Sequence, residues 1–188
     1  VNEELKSTKA GEYTLVARPI DGRYQGALWA QGRIIERIQG HDLDVVYEKL
    51  QALLADHLAE RIAARGEREP SVEEGVKALS RVFPNMTAGQ RSMLRAHFKS
   101  PDRKITATQL AQAAGFSSYS GANLQYGLLG AMLLAEIPEE LRRRPNGTRV
   151  TTFAIATGEY PDDSPDSPDW VWEMRPHIAE ALKRIASF

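Results

Sequence analysis

The side chains in this sequence that are best placed for specific chemistry are ones that bind rather than react. Tyr119, Ser120, Asn123 and Gln125 fall at the start of an apolar helical pattern. Asn and Gln amides can make paired hydrogen bonds to adenine edges, and hydroxyls such as those of Ser118 and Ser120 can hold phosphate oxygens. Basic residues flank them: Lys99, Arg103 and Lys104 before the pattern, and Arg142, Arg143 and Arg144 after it. The expectation is a set that contacts duplex DNA, the cations gripping phosphates and the polar cluster approaching base edges.

Reactive chemistry has less support. His41, His57, His97 and His177 are far apart and form no HxxxH or HExxH spacing, so a zinc site is not expected. The chain has no cysteine, which excludes disulfides and thiolate metal sites. No GxSxG elbow, Walker loop or dinucleotide fingerprint occurs, and Gly121, Gly127 and Gly130 lie inside an apolar helical pattern rather than after a strand. Asp21, Glu36, Asp42 and Asp44 could serve a metal-dependent nuclease, but turns and a helix cap already explain most of them. The reading is therefore of a non-enzyme without cofactor or metal.

The elements that must position the polar cluster are announced by repeated capping boxes, a hydroxyl at the N-cap with Glu or Gln three residues on. Ser71 with Glu74, Thr87 with Gln90, and Thr106 with Gln109 predict helices over about 71–83, 87–99 and 106–114. Ala114-Gly115-Phe116 ends the third, with glycine at C′. Ser117, Ser118 and Ser120 are candidate caps for a fourth, in which Ala122, Tyr126, Leu129 and Leu133 form one stripe and Leu124, Leu128 and Met132 another. Helix, glycine-bearing turn and helix make the outline of a helix-turn-helix. Gly121, Gly127 and Gly130 cost helix stability, so a second helix or a DNA backbone is expected to pack against them. Arg149–Gly158 and Val171–Arg175 read as two strands of a wing. The acidic loop between them, with Glu159, Asp162, Asp163, Asp166 and Asp169, would be repelled by phosphate and reads as a solubilising tip, a dock for a basic partner or an autoinhibitor of the site. Pro176 opens a closing helix with Ile178, Leu182 and Ile185 on its apolar face.

Upstream, Glu12–Ile20 alternates as a strand, and Asp21-Gly22 and Gln31-Gly32 are hairpin signals joining it to RYQGALWA and RIIERIQG. Asp42 can cap a helix whose stripe runs Leu43, Val46, Tyr47, Leu50, Leu53, Leu54, Leu58 and Ile62. Trp29 and this stripe are the expected core. Arg18, Arg23, Arg33 and Arg37 lie on the strands, where residues two apart share a face, so a subset could form a basic surface. A linker at Ala63–Ser71 divides the chain into residues 1–66 and 67–188. The fold class is α+β: an N-terminal β-β-β-α domain, then a mainly helical winged helix-turn-helix domain.

The net charge of −1 conceals polarity: residues 70–150 hold 11 Lys and Arg against 6 Asp and Glu, a local +5 where the helix-turn-helix falls. That is a modest electrostatic footprint for phosphate contact. No stretch approaches the ~18 apolar residues of a membrane span, and the polar first residues lack the apolar centre of a secretory signal. A cytoplasmic protein is expected.

ITATQLAQAAGF, YSGANLQYGLLG, FAIATG and WEMRP, running from the third helix to the closing one, resemble a module at the front of bacterial HNH-endonuclease-like proteins of the restriction or phage-defence kind. The paired histidines and asparagine of the HNH nuclease are missing. The resemblance implies the DNA-targeting part without the cutting part. The first 60 residues also look loosely like the β-β-β-α DNA-binding domains of phage integrases. Against a sequence- or structure-selective DNA binder of a defence, restriction or regulatory system stands a different class: an adaptor or phage-encoded inhibitor that docks a protein through the helix-turn-helix scaffold and acidic loop. A homodimer is compatible with either.

Overall fold

Four strands, not three, precede the first helix. In a computed structural model that describes residues 5–159 and 170–185, β1 (Lys6–Ala10), β2 (Tyr13–Ile20), β3 (Arg23–Ala30) and β4 (Arg33–Gly40) pair antiparallel in chain order. The expected β-β-β-α order is thus corrected to β-β-β-β-α. The missed β1 has the polar sequence KSTKA, which suits a sheet edge because lysines there discourage pairing with another chain. The two expected turns are present, with φ of 50° and 75° at Asp21-Gly22 and of 50° and 77° at Gln31-Gly32. Positive φ at both central residues matches the twist of paired strands.

One face of this sheet is covered by α1 (Leu43–Arg65), whose N-cap Asp42 accepts the Val45 N–H at 3.0 Å. Tyr13, Leu15, Ala17 and Leu28 pack there on Leu43, Val46 and Leu50. Trp29 is not in this core, contrary to expectation. It lies one pleat step from buried Leu28 and opposite Thr14, on the face away from α1. A bulge at Leu28/Trp29 leaves Ile35 unpaired and 38% exposed. Its effect is to keep Ile34 and Arg37 on the Trp29 side.

The chain divides into two compact units, Val1–Glu67 and Arg68–Phe188. The second contains α2 (Val72–Val82), α3 (Ala88–Lys99), β5 (Lys104–Thr106), α4 (Ala107–Ala114), α5 (Tyr119–Glu136), β6 (Ala156–Glu159), β7 (Val171–Met174) and α6 (Pro176–Arg184), with 3-10 turns at Phe83–Asn85, Pro101–Arg103 and Thr151–Ala154. All three capping boxes form, each hydroxyl accepting an N3 amide and each Glu or Gln returning to the N-cap amide. The fold is therefore α+β, a four-stranded sheet with a long helix followed by a mainly helical region with a small sheet.

The small sheet has the order β5-β7-β6, all antiparallel. Two readings change here. β5 falls between the helices predicted over 87–99 and 106–114, where no strand was predicted, and the strand predicted over Arg149–Gly158 is confined to Ala156–Glu159 because Thr151–Ala154 coils into a 3-10 turn. The acidic residues 162–169 lie outside the described residues. Trp170, Trp172, Tyr126, Leu129, Leu133, Met93, Leu94 and Leu110 make the centre of the core.

The 3-10 turn also explains the α5 glycines. A Cβ on Gly130 would stand 2.1 Å from the Thr151 carbonyl oxygen, and the Thr151 hydroxyl donates to the Gly127 carbonyl at 2.6 Å. What packs so closely on Gly130 is the chain's own return segment and not a second α-helix. Gly121 has nothing nearer than 3.7 Å to its missing Cβ.

Candidate nucleic-acid interface

The turn before α5 is built as its sequence requires. Gly115 ends α4 in the left-handed region (φ 71°, ψ 24°), and the Phe116 N–H closes on the Ala111 carbonyl at 2.9 Å. Three residues later the Ser118 hydroxyl oxygen accepts the Gly121 N–H at 3.3 Å, which fixes the first turn of α5 and makes Ser118 a cap first. From that start Ser120, Asn123, Leu124, Gly127, Leu128 and Ala131 line an open groove of about 490 Å³ along the outer side of α5, with Arg144 and Thr151 on its wall.

Of the expected contact residues, Ser120, Asn123 and Arg144 are thus brought together. Tyr119 is half-buried at the first position of α5. Gln125 points elsewhere: Gln90 of α3 donates to its backbone carbonyl at 3.3 Å and to its Oε1 at 3.5 Å. Lys99, Arg103 and Lys104 gather at the end of α3 and the start of β5. Lys104 pairs with Glu173 at 3.2 Å, and Arg103 covers the Phe98 ring and reaches Glu180 at 4.0 Å, while Lys99 is exposed. None of these three lines the α5 groove.

The arginine triplet lies on a small hairpin. The Arg144 N–H donates to the Thr148 carbonyl at 2.8 Å and the Val150 N–H to the Arg142 carbonyl at 3.0 Å, with Arg143 and Arg149 bridged across. Gly147, at φ 83°, turns it. Arg142, Arg143 and Arg149 are exposed and Arg144 half-buried. Arg143 also reaches Glu140 at 3.1 Å and the Gly147 carbonyl at 3.2 Å. Arg149 was overlooked as a fourth member, although Pro145-Asn146-Gly147 between it and the triplet is a turn signal that brings it back alongside.

Two buried polar groups hold these elements in place. His97 on α3 accepts the Tyr126 hydroxyl of α5 at Nδ1 (2.7 Å), and its Nε2–H faces the carbonyls of Arg103 (2.9 Å) and Trp172 (3.0 Å). Burial lowers the imidazole pKa to about 4, against the help of both carbonyls, so the ring is neutral, and burial pushes the Tyr126 phenol up. Arg175, just before α6, donates to Glu139 at 2.7 Å, to the Phe153 carbonyl at 3.0 Å and to Glu69. Burial disfavours its charge, but Glu69 and Glu139 outweigh that and raise its pKa. Nothing in residue spacing marks either network, because each joins partners far apart in the chain.

The α5 groove is more apolar than expected at its middle, where Leu124 is 63% and Leu128 47% exposed. Among the described residues no three His, Asp or Glu side chains converge as a metal site, and no helix is long and apolar enough to cross a membrane. Comparison with protein-family models, curated proteins and solved structures finds no match to this chain.

Proposed function

We propose that the chain is a non-catalytic protein that binds duplex DNA through a winged helix-turn-helix formed by α3 to β7. The observation that carries this reading is the sheet order. After the helix-turn-helix α4–α5, the chain returns as the pair β6–β7, and β7 adds to β5, the strand that precedes α4. That wrapping leaves α5 with one uncovered side, on which Ser120 and Asn123 stand at the polar N-terminal end and Arg144 at the edge. An α-helix fits a B-DNA major groove, and its first turns are where base edges are met. The arginine hairpin stands beside that side, through Arg144, to hold phosphates. The resemblance to the front module of HNH-endonuclease-like proteins supports a place in a restriction, phage-defence or regulatory system.

The test is a fluorescence-anisotropy titration of the purified chain with labelled duplex. Arg142, Arg143 and Arg144 changed together to Ala should weaken binding to every sequence and flatten the log–log salt dependence by about 2 to 3, one phosphate contact per arginine. An unchanged slope removes the hairpin from the interface. Ser120→Ala with Asn123→Ala should instead narrow the differences between sites.

A second reading has its own observation. Exposed Leu124 and Leu128, one helical turn apart on the same groove, are a surface suited to a protein, whether a different partner or a second copy of the chain. In that case the helix-turn-helix is a docking scaffold.

A further inference from the structure

The face of the first unit's sheet turned away from α1 holds a hollow of about 400 Å³ whose lining includes Val16, Ala27, Trp29 and Ile34, with Arg18 and Arg37 at its margin. Strand alternation and register decide which cations share this face. Arg18, Arg23 and Arg37 are on it, across from Gln25, Ile20 and Ala27 respectively, whereas Arg33 pairs with Ala30 on the α1 side. Among the described residues, none of Arg18, Arg23 and Arg37 has a carboxylate partner. Glu12 borders the opposite end, where Arg61 at 2.8 Å and Gln31 at 2.7 Å neutralise and satisfy it. Trp170 and Trp172 are at most 2% exposed, but Trp29 is only half-buried and stands outside the core.

From this we infer that the open sheet face binds single-stranded nucleic acid, a base stacking on Trp29 and the backbone running along Arg37, Arg18 and Arg23. Those arginines advance by ~7 Å along the strand direction from one to the next while standing on β4, β2 and β3, so that neighbours are ~8–12 Å apart, a track for a chain of phosphates rather than for one anion. Aromatic faces stack any base, and arginines beside them hold the backbone without reading sequence. A duplex fits poorly. Four strands at ~4.8 Å spacing span ~14 Å before side chains are added, which exceeds the ~12 Å major groove, and paired bases are stacked on each other and closed to Trp29. This site is distinct from the α5 groove and does not depend on it.

The experiment titrates the full chain with oligo-dT, oligo-U and a duplex, following anisotropy and intrinsic tryptophan emission. Stacking should quench emission, and Trp29→Phe should abolish the quenching while keeping most of the affinity. Trp29→Ala should weaken single-strand binding about tenfold or more, with the melting temperature little changed because the side chain is half-exposed. Joint Arg18, Arg23 and Arg37 to Ala replacement should flatten the single-strand salt slope by about 2. The oligo-dT and oligo-U arms separate DNA from RNA. Unaltered single-strand affinity in Trp29→Ala, quenching that survives in Trp29→Phe, or a loss as large for duplex as for single strands would each overturn the inference. Changes in the α5 groove should leave single-strand binding untouched, so this site and the winged-helix reading fail separately.

Discussion

His97 and Tyr126 meet at 2.7 Å in the core of the second unit, ring nitrogen to hydroxyl, where neither reaches water. Through that pair α3 is locked to α5, and through the other ring nitrogen to the strand β7. The helix that presents the candidate contacts and the strand that closes the small sheet therefore share one neutral imidazole.

This makes stability acid-sensitive in a defined window. The folded ring's pKa is lowered from 6.5 to about 4, so between those values the unfolded chain takes up a proton that the folded chain refuses. The contribution is fully present above about pH 6.5 and falls as pH drops towards 4, by roughly 3 kcal/mol in all. Denaturant unfolding at pH 7 and pH 5 should show the loss, and His97→Phe should be less stable at pH 7 with a shallower dependence. Tyr126→Phe should cost ~1–3 kcal/mol by leaving Nδ1 without its donor.

Arg175 should prove structural. Its partner Glu139 has only 13% of its side chain exposed, whereas Glu69 has 73%. Arg175→Met takes a cationic partner from the largely covered Glu139 carboxylate and the donor from the Phe153 carbonyl, and should destabilise the second unit by ~3 kcal/mol. Glu69→Gln should cost under ~1 kcal/mol, as expected for a partner in water. Equal losses from the two changes, read by thermal melting, would contradict this ranking.

The two central glycines of α5 should differ sharply. Gly130→Ala drives a methyl onto the Thr151 backbone at 2.1 Å, where no flexible side chain can yield, and should cost ~1–3 kcal/mol or more. Gly127→Ala meets the Thr151 and Thr152 hydroxyls at 3.4 and 3.7 Å, ordinary contact distances, and gains helix propensity of up to ~1 kcal/mol, so it should be near neutral. Melting curves of the two variants decide it.

Leu124 and Leu128 separate the two readings of α5. If the groove docks protein, Leu124→Glu with Leu128→Glu should abolish self-association in light scattering, or partner capture, without a change in affinity for duplex DNA. If the groove faces DNA, the same charges should weaken duplex binding strongly through repulsion from phosphate.

Helix ends and turns were legible because they are written locally. Ser71, Thr87 and Thr106 each cap a helix from three residues away, and Gly115, Gly22 and Gly32 mark positive φ. Elements defined by remote partners were not. β5 exists because β7, far along the chain, pairs with it, and β1 is polar because it is an edge. Trp29 misled because size and aromaticity favour burial, while the pleat, which sets its face, carries no label for which side α1 will cover. For the candidate site, Ser120, Asn123 and Arg144 were readable as helix start and basic flank. That Gln125 turns to Gln90 depends on where α3 packs, and no spacing within α5 reveals it.

The most direct measurement is the anisotropy titration of the full chain with random duplex at about 50 and 200 mM salt, beside the triple Arg142, Arg143 and Arg144 to Ala variant. A winged helix that grips phosphate through this hairpin predicts salt-sensitive duplex binding, weaker and less salt-dependent in the variant. Absence of duplex binding at the lower salt, with the protein folded, would contradict it.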